Sequence, residues 1–456
     1  MRKASVLSFG ALALGLLAGQ VMAAVSTDEA AKLGTTLTPL GAQKEGNADG
    51  SIPAWTGGLK ADAAPVSNGF LGNPFEGEQP LFTITAQNVE QYKDKLTPGQ
   101  QAMFKRYAAT YKIPVYKTQR TASAPQEIYE AAKKSATIVS TINDGNGLSK
   151  EFSQARYYPF PIPQNGVEVV WNHMTRYRGK NQSRLTAQAA PQTNGSYTIV
   201  ESEDLIAYPE FVEGMDAARA GNVLFLYKQR VTAPARLAGN VLLVHETIDQ
   251  LTEPRMAWMY NAGQRRVRRA PQVAYDGPGT AADGMRTADN ADMYNGSPDR
   301  YDWKLVGKRE LYIPYNSYKL GSSKVKYADI IRPGHINQDL ARYELHRVWE
   351  VVGTLKSAER HIYAKRHMFF DEDTWQASEI DHYDGRGQLW RVGEGHGINE
   401  YQQGIAQYAA IGLYDLTAGR YLVWGMNNEA KKGIEYGFRG KFSDFTPAAL
   451  RNAGIR

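Results

Sequence analysis

Cysteine is absent from this chain of 456 residues. Its absence excludes disulfide bonds, thiolate metal sites and a lipid-modified N-terminal cysteine. Long apolar runs are scarce as well, and the clearest one, Val6 to Leu17, is shorter than the roughly 20 residues that span a bilayer. Charge of one sign does not dominate, because 53 basic residues face 47 acidic ones. The composition therefore gives no indication of a nucleic-acid partner.

The N-terminus has the three parts of a secretory signal peptide. Arg2 and Lys3 form a positively charged start, the uncharged apolar run follows, and Val21-Met22-Ala23 offers a signal-peptidase site. We expect cleavage after Ala23, so that residues 1–23 are removed and the mature chain, with a net charge of +4, works in the periplasm. A transmembrane anchor is the alternative, which the short apolar run disfavours.

Familiar catalytic motifs are also missing. The chain has no nucleophile elbow, no His-Glu-x-x-His motif, no phosphate-binding loop and no dinucleotide fingerprint. These absences favour a binding protein over an enzyme and give no reason to expect a cofactor. His361 and His367, with the acidic run Asp371 to Asp373, suggest a metal site, but six residues of strand separate the imidazoles by about 20 Å. We therefore expect no bound metal.

The chain divides into two regions by its pattern. Residues 24–160 are expected to form a mixed coil and helical region, with one helix beginning at Thr97-Pro98 and another over Pro125 to Val139. Residues 161–456 carry ten or more short segments with strand periodicity, beginning with a predicted strand at Val167 to Trp171. This pattern predicts a mainly β fold with one large antiparallel sheet. The segment Ala270 to Asn295 is too long for a turn, and we expect it to be functional or mobile.

The run Arg265-Arg266-Val267-Arg268-Arg269 is the most distinctive local feature. Its arginines alternate between both faces of a strand, so a buried strand cannot hold them, and we expect a sheet rim. Ion pairs with Asp276, Asp283 or Asp289 would make the run structural. A functional run would dock an acidic partner or grip an anionic head group.

Aromatic residues are abundant, with 27 Tyr and 8 Trp. They serve either ordinary cross-strand packing or the lining of an apolar cavity within a curved sheet. The candidates for the cavity lining are Trp171, Phe225, Tyr227, Trp258, Tyr260, Tyr343 and Trp349.

Five motifs resemble a known family. They are Lys44 to Trp55 (KEGNADGSIPAW), Trp171 to His173 (WNH), Arg265 to Pro271 (RRVRRAP), Tyr343 to Trp349 (YELHRVW) and Asp371 to Trp375 (DEDTW). Together they resemble the periplasmic family catalogued as domain of unknown function 1329, over nearly the whole mature chain. The resemblance implies a relative of the LolA and LolB lipoprotein-sorting carriers, with a half-open β-barrel, plugging helices and a hydrophobic ligand between them. It also implies a role beside resistance-nodulation-division exporters, and it implies no catalytic residues.

Three hypotheses for the function follow. The first is a periplasmic binding or carrier protein for a lipid or other hydrophobic molecule, with an inner-membrane exporter and an outer-membrane protein as partners. The second is an adaptor subunit of an envelope complex that binds no small ligand. The third is an unrecognised periplasmic hydrolase. A continuous apolar lumen favours the first hypothesis over the second, and a buried Ser/His/Asp or His/carboxylate cluster would favour the third.

Overall fold

The computed structural model describes residues 24–454, so the predicted signal peptide lies outside the described residues. Within this range no helix is long and apolar enough to cross a membrane. The helices are α1 Thr27–Ala30, α2 Pro98–Arg106, α3 Gln126–Ile138, α4 Gly166–Thr175, α5 Ala217–Asn222, α6 Tyr327–Ile330 and α7 Ala449–Ala453. The strands are β1 Val66–Ser67, β2 Phe70–Leu71, β3 Phe82–Ile84, β4 Ile113–Val115, β5 Thr141–Ile142, β6 Gly147–Leu148, β7 Gln182–Ala189, β8 Val200–Ala207, β9 Val212–Glu213, β10 Val223–Ala233, β11 Val241–Thr247, β12 Met256–Asn261, β13 Arg266–Arg269, β14 Tyr301–Pro314, β15 Tyr343–Leu355, β16 Lys365–Asp371, β17 Ala377–Tyr383, β18 Leu389–Glu400, β19 Ile405–Asp415, β20 Arg420–Met426, β21 Glu435–Tyr436 and β22 Gly440–Lys441.

A sheet of 16 strands dominates the described part of the chain. Its order is β13-β12-β11-β10-β8-β7-β20-β19-β18-β17-β16-β15, with β14 and β4 also beside β15, β3 beside β4, and β21 beside β7. Pairing is antiparallel throughout except where β4 meets β15. Within residues 24–454 the sheet is not closed into a barrel, since β13 pairs only with β12 and β14 only with β15. The prediction of a mainly β fold with a large antiparallel sheet is confirmed.

The predicted strand at Val167 to Trp171 is wrong, because these residues lie in helix α4. The helix begins after Asn165, whose side chain accepts a hydrogen bond from the backbone N–H of Glu168. Val169 and Val170 are fully buried, as are most residues of the helix. A helix buried on every side produces a continuous apolar run, and such a run has the same appearance as a buried strand.

The loop of residues 270–300 has a special position in the topology. It joins β13 to β14, which are consecutive in the chain but lie at opposite ends of the sheet, so it must cross one sheet face. We call it the crossing loop and the face that it covers the inner face. Gln188 of β7 donates hydrogen bonds to the loop carbonyls of Thr280 and Ala281. Arg366 of β16 binds the loop carboxylate of Asp289 at 2.5 Å. The segment expected to be functional or mobile is thus fastened across the sheet.

Helix α4 packs on the inner face together with the crossing loop. The His173 ring of α4 contacts the carbonyl of Asp292 in the loop (2.9 Å) and the backbone N–H of Ala377 in β17 (3.1 Å). Burial lowers the pKa of His173 to about 3, so the ring is neutral and joins the three elements through hydrogen bonds. The outer face is covered by α2, whose Gln100 donates to Glu379 of β17, and by α7, whose Leu450 is fully buried.

Candidate functional site

A cavity of about 160 Å³ lies between the crossing loop and the inner face of β7, β8, β10 and β11. Strand alternation decides which side chains reach it: Phe225 and Tyr227 of β10 line the cavity, whereas Leu226 packs on the outer face. The apolar part of the lining includes Ile206, Phe225, Tyr227, Val231, Leu242, Val244 and Trp424.

A second cavity of about 290 Å³ adjoins the first. The two cavities share the lining residues Arg178, Arg184, Thr186, Ile206, Asp292, Trp424 and Gly425. The pairing of β7 explains this arrangement. Strand β20 pairs with β7 as far as Met426 opposite Ala187, and β21 takes over where Glu435 lies opposite Ser183. Between these pairings, Arg184 and Thr186 face both cavities.

An ion pair crosses the floor of the first cavity. Arg184 and Asp204 are direct neighbours on β7 and β8, and the Arg184 Nε lies 3.4 Å from an Asp204 carboxylate oxygen. The same carboxylate accepts hydrogen bonds from the Ser202 hydroxyl (3.0 Å) and the Gln229 amide (3.2 Å). Asp204 is therefore held by side chains from β7, β8 and β10.

Asp292 of the crossing loop is held by two arginines. The Arg176 guanidinium binds both of its carboxylate oxygens at 2.7 Å, and Arg178 binds one of them at 2.7 Å. Burial raises the pKa of Asp292, but the two guanidiniums outweigh burial and hold it well below the ordinary value. Asp292 is thus ionised, and its charge is more than balanced by its partners.

Arg286 is the unusual cation of the site. It lines the first cavity from the crossing loop, with its guanidinium 5.7 Å from the ring centre of Trp424. Within the described residues the guanidinium has no ion pair or hydrogen bond, and its buried Nε is unsatisfied. Burial lowers the pKa of Arg286, a cost that Tyr227 and Asp204 offset only in part. Gly279 leaves the necessary room, because a Cβ there would lie 2.9 Å from the Arg286 Cζ.

Glu400 is the one acidic residue, apart from Asp292, in the lining of the second cavity. One of its carboxylate oxygens is buried without a hydrogen-bond partner. Burial raises the pKa of Glu400 to about 7. The charge of the second cavity therefore changes near neutral pH.

Two of the predicted lining residues, Phe225 and Tyr227, line the cavity. Trp258 and Tyr260 of β12 instead pack on the outer face, in a cluster with Phe445 and other residues near the C-terminus. Strand β12 presents its alternate residues, among them Met259, toward the inner face. The aromatic identity of a strand residue alone does not show which face of the strand turns inward.

The other three predicted lining residues also lie away from the cavity. Trp171 is buried in α4 and donates its indole N–H to the carbonyl of Gly145. Tyr343 donates to the buried Glu394 carboxylate at 3.0 Å on the α2 side of the sheet. Trp349 stacks on Trp375, with 6.0 Å between the ring centres. Tyr343 and Trp349 share a strand but have different neighbours, because β15 pairs with β4 at one end and with β16 at the other.

Arg266, Arg268 and Arg269 are exposed on the terminal strand β13, and Arg265 is exposed in the turn before it. Among the described residues none of the four forms an ion pair; Arg269 lies over the Trp258 ring at 5.6 Å. The three carboxylates that could have paired with them are engaged elsewhere. Asp276 accepts from the Ile362 N–H, Asp283 binds Arg420 and Asp289 binds Arg366. The ion-pair interpretation of this run is therefore not supported.

The histidines considered for a metal site lie in separate places. His361 contacts Asp289 at 3.0 Å, and His367 contacts Glu350 at 2.6 Å. Asp371 and Asp373 come together with His346 instead, with potential ligand atoms within 4.8 Å of one another. Arg120 already binds both oxygens of Asp373, at 2.6 and 2.9 Å. Asp373 is therefore engaged by Arg120, whereas the Oδ1 of Asp371 is buried without a hydrogen-bond partner.

Comparison with known proteins gives a family match and distant structural relatives. The family described as "Protein of unknown function (DUF1329)" matches residues 83–451. An uncharacterized protein of Pseudomonas aeruginosa is 65% identical over 452 residues, which cover 99% of each chain. A DUF1329 family protein from Desulfovibrio piger is 14% identical and covers 60% of this chain and 92% of its own, with a TM-score of 0.41. A LolA superfamily protein from Nitrosomonas europaea is 12% identical and covers 62% and 98%, with a TM-score of 0.37.

Proposed function

This chain belongs to the DUF1329 family, whose description assigns no function, and from its two cavities we propose that it is a periplasmic binding or carrier protein for a lipid or other hydrophobic molecule. The observation that carries the proposal is the pair of adjoining cavities on the inner face. Ligand sites typically combine apolar walls with a few placed polar groups in volumes of about 300–1,000 Å³. The two cavities, of about 160 and 290 Å³, reach such a volume only together, and this arrangement suits an elongated ligand better than a compact one.

The frame around the cavities is suited to holding such a ligand. The floor is continuous sheet, and the roof is a loop fastened by buried ion pairs rather than a free lid. Phe225, Leu242 and Val244 supply apolar contact on one side, and Trp424 supplies it on the other. Burial of an apolar chain against these side chains contributes about 25 cal/mol for each Å² removed from water.

A saturable apolar fluorophore tests the proposal. The mature protein should bind N-phenyl-1-naphthylamine at one site, and a long-chain amphiphile should displace the dye. Thr186→Trp should abolish saturable binding, because residue 186 faces both cavities and an indole would fill the space between them. Trp258→Phe is the matched control, since Trp258 packs on the opposite face. Absence of saturable uptake in the wild-type protein would defeat the proposal.

A second candidate function, docking of an envelope partner, is favoured by the terminal strand β13. Within residues 24–454 this strand has a neighbour on one side only, and its exposed arginines have no ion pairs. An unpaired strand edge can accept a strand from another chain, and arginine pairs well with carboxylates. The partner that this edge fits is an acidic extended segment, and an exporter subunit is the partner that the sequence resemblance suggests.

Charge reversal separates the two candidates. Arg266→Glu with Arg268→Glu should weaken capture of an envelope partner and leave dye binding and the melting temperature unchanged. Arg236→Glu, also exposed, is the control for added negative charge. None of the histidines in the described residues hydrogen-bonds a serine hydroxyl. His346 lies 3.1 Å from the Glu344 carboxylate and His361 lies 3.0 Å from Asp289, with all four side chains buried, so the His/carboxylate arrangement that would favour a hydrolase is present.

A further inference from the structure

The first cavity has a surplus of positive charge. Arg178, Arg184, Arg255 and Arg286 line it, against the three carboxylates of Asp204, Glu246 and Asp292. Each carboxylate already has an arginine partner: Arg184 lies at Asp204, Arg255 at Glu246, and Arg176 and Arg178 at Asp292. When these pairs are set aside, Arg286 is left without a counter-charge.

An unpaired guanidinium in such a place is costly. Transfer of a charge from water to a protein interior is unfavourable unless hydrogen bonds and a counter-charge replace the lost water. The Nε of Arg286 is buried without a hydrogen-bond partner, although the side chain as a whole is half-buried, and burial lowers the pKa of the group, an effect that Tyr227 and Asp204 offset only in part. The Arg286 side chain packs directly on Gly279, where an added Cβ would lie 2.8 Å from its Cγ and 2.9 Å from its Cζ. From this position the guanidinium lines the cavity.

We propose that the ligand is an amphiphile with an anionic head group, which Arg286 binds while the apolar chain lies along Phe225, Tyr227 and Trp424. This inference rests on the proposed carrier function and names the chemistry of its ligand. A carboxylate or phosphate oxygen can accept from the free N–H groups of the guanidinium and supply the missing charge. Arg184, which faces both cavities, is placed to assist.

The side chains around Arg286 fit a ligand whose head group lies at Arg286. Arg286 lies over one side of the Trp424 ring, and Trp424 lines both cavities, so an alkyl chain leaving the head group has an apolar surface to follow. The Asp204 carboxylate would repel the anionic head group of the ligand. The oxygens of Asp204 are already bound by Arg184, Ser202 and Gln229. The anion is therefore directed toward the loop side of the cavity, where Arg286 stands.

A series of ligands with one chain length tests the inference. Dye displacement should rank dodecanoate and dodecyl phosphate at least about tenfold tighter than dodecanol, and dodecyltrimethylammonium weakest. Comparison of the first two shows whether the site prefers a carboxylate or a phosphate. Acetate and inorganic phosphate should displace nothing, because they lack the apolar chain. Displacement by these free anions would overturn the amphiphile assignment.

Arg286→Gln should lower the affinity for dodecanoate about tenfold and leave the affinity for dodecanol unchanged. Arg266→Gln on β13 is the control for loss of an exposed arginine. Arg286→Lys, which keeps the charge, should retain the preference for anions if Arg286→Gln proves unstable. Equal affinity of the wild-type protein for dodecanoate and dodecanol would overturn the inference and leave the carrier function standing. Failure to bind any of these ligands would defeat the carrier function itself.

Discussion

Glu379 and Glu394 lie directly opposite each other on β17 and β18, and both side chains are fully buried. Burial, followed by the charge of Glu394, raises the pKa of Glu379 well above its ordinary value. Tyr111 and Tyr343 donate hydrogen bonds to Glu394, and Gln100 donates to Glu379, but among residues 24–454 no cation forms an ion pair with either carboxyl group. The Glu379–Glu394 pair is therefore most stable in the folded protein when one of its two carboxyl groups is protonated.

This pair predicts a loss of stability with rising pH. A carboxyl group whose pKa is raised on folding stabilises the fold fully below its unfolded pKa of about 4.5, and that contribution is lost as the pH rises through the folded pKa. Glu379→Gln should remove the loss and raise the free energy of unfolding at neutral pH by about 1–2 kcal/mol. Melting temperatures measured from acid to neutral pH check this. Glu76→Gln, at an exposed position, is the control and should change nothing. A mutant less stable than wild type at pH 7 would show that the pair is ionised in the folded protein and that neighbouring groups stabilise its charge.

Removal of the anchor of the crossing loop should be costly. Asp292→Asn leaves the buried Arg176 and Arg178 without their counter-charge, and loss of one partner of a buried pair costs about 3–5 kcal/mol. The matched control is Asp283→Asn in the same loop. Asp283 is exposed where it pairs with Arg420, so this change should lower the free energy of unfolding by less than about 1 kcal/mol. Urea unfolding of both variants measures the difference. Equal effects would mean that the loop is not held mainly at Asp292.

Ligand affinity should depend on pH through Glu400. An apolar chain entering the second cavity removes water from this carboxyl group, which favours its protonated form. Affinity for the neutral ligand dodecanol should therefore fall as the pH rises through about 7, the pKa to which burial raises Glu400. Glu400→Gln should bind equally well on both sides of that pH. A wild-type affinity that is flat over this interval would place the ligand away from the second cavity.

Much of the sheet could be predicted from the sequence, because strand periodicity is a local signal. The strands Val241–Thr247 and Ala377–Tyr383 both lie in the region predicted to be rich in strands, although they are buried along nearly their whole length. In the strand Gln182–Ala189 the polar residues Arg184, Thr186 and Gln188 alternate with apolar ones, a pattern that predicts an exposed polar face, yet these three residues line the cavity. A polar inner face has the pattern expected for an exposed one, and only the tertiary structure shows what covers it.

Which residues line the cavity depends on contacts between segments that are far apart in the sequence. Phe225 and Tyr227 line the cavity, and they were among the predicted lining residues because any aromatic residue on a long strand is a candidate for such a lining. Arg286 could not be found, because it lies in a Gly- and Asp-rich loop whose course is fixed by the strand order. No local pattern shows that this loop crosses the sheet.

The most direct test of the account is a crystal structure of the mature protein with a terminally brominated dodecanoate, with the bromine located by anomalous scattering. We expect the carboxylate to lie within hydrogen-bond distance of the Arg286 guanidinium and the bromine to lie in one of the two adjoining cavities. A bromine on the protein surface, or a carboxylate bound to the exposed arginines of β13 with the cavities empty, would contradict it.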